Sequence, residues 1–87
     1  MVSAKTVIQA PTGLHARPAG ELVALVKSFE GSSVKLTAGG RSVNAASMLS
    51  VLSLGLKCGA EVEISVDGGR EDEALAAVKS FLESLAG

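Results

Sequence analysis

The chain has 87 residues, 47% of them apolar and 20% charged, with a net charge of -1, a profile that fits one soluble globular domain spanning residues 1–87 and excludes a disordered chain. Two aromatic side chains, Phe29 and Phe81, and the lack of any basic run remove the usual means of stacking bases or neutralising a phosphate backbone, so nucleic acid is not an expected partner. With one cysteine and one histidine there is no internal disulfide and no His/Cys zinc cluster, and no metal or other cofactor is expected.

The first strand is expected over roughly Ser3 to Ile8, ended by the turn residues Ala10-Pro11-Thr12-Gly13. A loop carrying Leu14-His15 follows. From Ala16 to about Phe29 the apolar residues Ala19, Leu22, Val23, Val26 and Phe29 recur at helical spacing, leaving Glu21, Lys27 and Glu30 for the outer face. Pro18 then falls in the first turn, where a missing N–H costs little. His15 therefore sits at a helix N-terminus.

Val34 and Leu36 alternate with Ser33, Lys35 and Thr37 as a half-buried strand, and Ala38-Gly39-Gly40 turns the chain into a short partner strand, Arg41 to Asn44. Ser47 precedes the apolar run Met48 to Leu54 as a helix N-cap, with Gly55 as a left-handed stop. Val62, Ile64 and Val66 alternate with Glu61, Glu63, Ser65 and Asp67 in a further strand, and Asp67-Gly68-Gly69 ends it. The last helix opens on Glu71, Asp72 and Glu73 and carries Leu75, Val78, Leu82 and Leu85 on one stripe. This order predicts an α+β open-faced β-sandwich: a four-stranded antiparallel sheet, order 1-4-2-3, with three helices on one face.

Met1-Val2-Ser3-Ala4-Lys5 lacks a signal-peptide pattern, and no apolar stretch reaches the ~20 residues that span a bilayer. A cytoplasmic location without membrane insertion is expected. Cys58, beside Gly59, reads as a small turn residue rather than a reactive thiol.

A lone histidine is more often structural than reactive. Here Gly13 permits a sharp turn before it, the helix dipole and free N–H groups lie beside it, and Arg17 follows within reach. Together these describe an anion site touching a nucleophile, and phosphate fits it best. The positive surroundings favour the neutral ring, whose lone pair can attack phosphorus. No carboxylate pair or metal cluster is there to activate water, which points to a carrier rather than a hydrolase.

The run Gly13-Leu14-His15-Ala16-Arg17-Pro18-Ala19 resembles the active-site signature of HPr, the histidine-containing phosphocarrier family of the bacterial phosphoenolpyruvate:sugar phosphotransferase system. Ser42 to Gly55 is similar to the family's second signature, around its regulatory serine. The resemblance implies that His15 accepts a phosphoryl group at Nδ1 from phospho-enzyme I and donates it to sugar-specific IIA proteins, with Arg17 steadying the group. It implies an intermediate between partner phosphotransferases, not an enzyme in its own right.

For Ser47 two readings stand. The residue types alone give an N-cap worth about 1 kcal/mol. The resemblance implies phosphorylation by an HPr kinase/phosphorylase and binding of the modified form to a catabolite control protein, although Ala46 stands where many relatives carry a lysine. Ala16, Gly20, Met48, Leu49 and Leu52 are expected to form an apolar docking patch for enzyme I and the IIA proteins. Three alternatives remain open at this point: a nitrogen-branch phosphocarrier, a regulatory module of the same family, and an acylphosphatase-like hydrolase using Arg17 for phosphate and Asn44 to orient water.

Overall fold

A computed structural model describes residues 2–9, 13–14, 16–29 and 31–85. Its elements are β1 (Val2–Val7), α1 (Ala16–Lys27), β2 (Ser32–Ala38), β3 (Arg41–Asn44), α2 (Met48–Ser53), β4 (Glu61–Gly68) and α3 (Glu71–Glu83). The strands form one antiparallel sheet in the order β1-β4-β2-β3, as the element order predicts.

The alternating pattern in β4 explains why it lies inside the sheet. Val62, Ile64 and Val66 are fully buried on one face, and antiparallel neighbours on both sides bring matching apolar residues opposite them. Val66 pairs with Val2 and Val34, and Ile64 with Ala4 and Leu36, so the core face is laid down in cross-strand rows. The other face carries Ser33, Lys35, Ser65 and Asp67 around a shallow polar depression. Between β2 and β3, Gly39 and Gly40 have φ of 58° and 79°. Two successive positive φ values make the tight two-residue turn whose twist matches the flanking strands.

On the apolar face α3 lies across β1, β4 and β2, while α1 packs beside α3 and against α2. The buried line of α1 is Pro18, Ala19, Leu22, Val23 and Val26. The helix ends at Lys27, short of the expected Phe29, and Phe29 is only half-buried. Its ring is covered by the Arg70 guanidinium, 5.0 Å from the centroid, so a cation–π contact replaces helical packing. In α3 the buried stripe is Ala74, Val78 and Leu82, with Leu75 and Leu85 at its half-buried margins. The i, i+4, i+8 line lets a small residue face the sheet closely, and an expectation drawn from large side chains overlooked it. Glu30 and the Ala10-Pro11-Thr12 part of the predicted turn lie outside the described residues.

Thr6 is the one polar side chain buried among the described residues, 7% exposed. Its hydroxyl donates to Glu83 Oε2 at 3.3 Å, and Lys79 Nζ meets the same oxygen at 3.0 Å, which ties α3 to β1 at the surface.

Candidate functional site

His15 lies outside the described residues, but the chain is fixed on both sides of it. Before it, Leu14 is buried at 5% exposure and its N–H donates to the Leu56 carbonyl at 2.9 Å. After it, α1 starts at once with Ala16 and Arg17 exposed and Pro18 buried. This first turn holds no acidic side chain. Its free N–H groups and positive dipole end therefore face no competing carboxylate from their own helix. Arg17 has neither a hydrogen bond nor an ion pair among the described residues, which leaves its guanidinium available to an incoming anion.

The second group of predicted residues surrounds α2. Ser47 is half-buried and caps the helix from an extended backbone, φ -110° and ψ 116°, with Oγ accepting the Ser50 N–H at 3.4 Å. Asn44 sets up this approach, since its Oδ1 accepts the Ala46 N–H at 2.9 Å. That bond holds the Asn44 side chain in the turn that leads into α2.

Within α2 the side chains divide sharply. Val51 is 1% exposed, whereas Leu49 is 83% exposed and Met48 38%. Leu52 is half-buried against the core and so divides its surface between packing and solvent. Gly20 faces Met48 between α1 and α2, where a Cβ built on it would stand 3.8 Å from Met48 Cε, an ordinary van der Waals distance. Gly20 and Met48 thus meet between α1 and α2, Leu49 stands exposed on α2, and Ala16 is exposed one helical turn before Gly20.

Two contributors were invisible to sequence reasoning. Arg41 reaches over to α2, its Nη1 donating to the Ser53 carbonyl at 2.9 Å and its Nη2 to Ser53 Oγ at 3.2 Å. The last turn of α2 has no basic residue of its own, so Arg41 supplies the cation that a helix C-terminus favours. The other is the Leu56 carbonyl, which as a backbone group carries no residue-type signature. Cys58 is exposed, with Sγ 3.9 Å from the Gln9 carbonyl. No group of three His, Cys, Asp or Glu side chains among the described residues is placed to hold a metal ion, and no described helix is long and apolar enough to cross a membrane.

Residues 2–84 match the family model for the PTS HPr component phosphorylation site. The chain belongs to the HPr family. It is 41% identical over 80 residues to the phosphocarrier protein HPr of Mycoplasma genitalium, covering 91% of this chain and 90% of that one. Its fold matches a crystal structure of HPr-C-His from Thermoanaerobacter tengcongensis with a TM-score of 0.92 and 35% identity, over 98% of this chain and 94% of the other. It also matches the catabolite repression protein Crh of Bacillus subtilis, described as a dimer with a swapped domain, at a TM-score of 0.78 and 34% identity, over 100% and 99% of the two chains. Family and fold thus agree with what the two sequence motifs imply, and HPr proteins are phosphocarriers of the phosphotransferase system.

Proposed function

We propose that this member of the HPr family acts as one cytoplasmic domain over residues 1–87 and carries a phosphoryl group on His15 Nδ1 from phospho-enzyme I to sugar-specific IIA proteins. The observation that carries the reading is the opening of α1 directly after His15: a first turn without acidic residues, with Ala16 and Arg17 exposed and Arg17 without a hydrogen-bond or ion-pair partner among the described residues.

In the transfer the Nδ1 lone pair of a neutral His15 forms a new N–P bond as the donor histidine's N–P bond breaks, and the electron pair of that bond stays on the donor nitrogen. Each ring keeps the proton on its other nitrogen, so no general base is required. Arg17 and the first N–H groups of α1 hold the phosphoryl oxygens. A helix end contributes about 0.3 to 1 kcal/mol and a charge-assisted hydrogen bond about 1.5 to 3 kcal/mol, enough to steady the group without trapping it. The partners provide the remaining positioning, docking on Ala16, Gly20, Met48, Leu49 and the exposed part of Leu52. No cluster of side chains among the described residues is placed to hold a water-activating metal ion, which favours a carrier over a hydrolase.

Ser47 takes a second, regulatory role in this reading, as the acceptor of phosphate from an HPr kinase/phosphorylase, with a catabolite control protein recognising the product. Its place at the start of α2, next to Met48 and Leu49, puts the added charge on the docking face. The test of the central claim is incubation with phosphoenolpyruvate and purified enzyme I, read by intact mass at neutral pH. One acid-labile phosphoryl group, absent in His15→Ala, is expected. No transfer, or transfer that survives His15→Ala, overturns it.

A further inference from the structure

The segment that follows α2 is stitched by backbone hydrogen bonds to the chain that leads up to His15. Ile8 N–H donates to the Ala60 carbonyl at 2.9 Å, Gly59 N–H to the Ile8 carbonyl at 2.7 Å, and Leu14 N–H to the Leu56 carbonyl at 2.9 Å. Leu14 and Leu56 are both 5% exposed, so the last of these bonds is anchored at each end by a buried side chain. Gly13 lies flat on the same seat. Its φ is 73°, and a Cβ built on it would overlap the Leu56 carbonyl oxygen and stand 2.9 Å from Lys57 Cα, both of them backbone atoms that cannot swing aside.

From this arrangement we infer that Gly13 and Leu56 are positioning residues for phosphoryl transfer, fixing the chain immediately before His15 to the segment that leaves α2. The inference rests on the phosphocarrier reading above and adds to it an anchor for the residues that precede His15. A partner docked on α2 meets a histidine whose preceding residue is hydrogen-bonded two residues beyond the end of that helix's C-cap, Leu54. Docking surface and the residue before His15 then hold one spatial relation. A shift of about 1 Å in a reacting group can cost on the order of 100-fold in rate, so loosening the seat acts on the transfer step and leaves docking alone.

The glycine requirement at position 13 has two parts, and another position separates them. Gly39 shares the positive φ, at 58°, but has nothing within 4 Å of a built Cβ. Gly39→Ala therefore imposes backbone strain without a collision.

The experiment compares phosphorylation by phospho-enzyme I across variants of the full chain. Gly13→Ala is expected to lower kcat roughly 10-fold to 100-fold with KM unchanged, while Gly39→Ala transfers like the parent. In parallel the Leu14 amide should exchange with solvent slowly in the parent and much faster in Gly13→Ala. Should Gly13→Ala fail to fold, Leu56→Ala carries the test with a lowered kcat, and the volume-keeping Leu56→Met restores the rate. A parental kcat in Gly13→Ala, a loss confined to KM, or equal losses in Gly39→Ala overturn the inference and leave the phosphocarrier reading standing. An unphosphorylated parent chain overturns that reading, and the inference with it.

Discussion

Leu49 is 83% exposed although it sits in a helix next to the core, and its removal separates docking from folding. Fully burying a leucine side chain is worth about 1.5 to 3 kcal/mol. Folding of this chain uses little of that at Leu49, so most of it remains for a partner that covers the helix. Leu49→Ala keeps the first carbon of the side chain, and a loss of about 1 to 2 kcal/mol of docking energy is expected, a Kd for enzyme I raised about 5-fold to 30-fold. Stability should stay within about 0.5 kcal/mol of the parent, as for other surface substitutions. Leu22→Ala is the opposite control: Leu22 is 0% exposed, and its truncation should destabilise by about 2 to 5 kcal/mol while leaving the folded molecules with parental affinity. Titration calorimetry with enzyme I, beside thermal denaturation, measures both quantities. An unchanged Kd in Leu49→Ala would falsify the docking role of α2.

Arg17→Ala should slow phosphoryl acceptance roughly 10-fold to 100-fold, from the loss of one charge-assisted hydrogen bond to the transferring group, with unaltered melting temperature because the side chain is exposed and makes no hydrogen bond or ion pair among the described residues. Arg17→Lys should recover only part of the rate, since an ammonium keeps the charge and loses the planar fork; rapid-quench labelling decides, and a parental rate in Arg17→Ala refutes the assignment. At the other end of the molecule, the hydrogen bond from Lys79 holds the Glu83 carboxyl below its ordinary value of 4.5 against the opposing effect of desolvation, with the Lys79 charge and the Thr6 hydroxyl adding lesser contributions in the same direction as the hydrogen bond. A lowered folded-state value means that the carboxylate's contribution is present above the unfolded value and disappears as pH falls through the folded one. Denaturant titrations should therefore find Glu83→Gln less stable than the parent at neutral pH, with the gap closing in acid; a gap that persists unchanged there contradicts the assignment.

The legible parts of this fold are those where a side-chain pattern has a single geometric solution. Alternation in Val62-Glu63-Ile64-Ser65-Val66 admits one sheet face for the apolar set, Gly39-Gly40 admits one kind of tight turn, and Ser47 with Gly55 brackets a helix at both ends. Ala74 was missed because small buried residues leave no hydrophobic signal, and Phe29 was over-assigned because its partner, Arg70, is 41 residues away in the chain and comes from the entrance to α3. At the site, residue types identify His15, Arg17 and Ser47 as chemically capable groups and place two of them beside the start of α1. What those types leave out is the scaffold: the Leu56 carbonyl is the same group in any residue, and Arg41 looks like an ordinary hairpin charge until the fold brings it to Ser53.

That scaffold also accounts for how a helix so short can present an apolar side chain to solvent. Six residues do not hold a helix in water on their own, because nucleation consumes more order than one turn of hydrogen bonds returns. α2 is held instead at three separate points: Ser47 at its start, Val51 buried at 1% exposure in its middle, and Arg41 on the Ser53 carbonyl at its end. None of the three involves Leu49. The residue that a partner is proposed to contact is therefore free of any duty in placing the helix. Substitution at position 49 can retune recognition without moving the seat beneath Gly13, whereas a change at Val51 or Arg41 loosens the helix itself and a change at Leu56 acts on the chain before His15 through the Leu14–Leu56 bond.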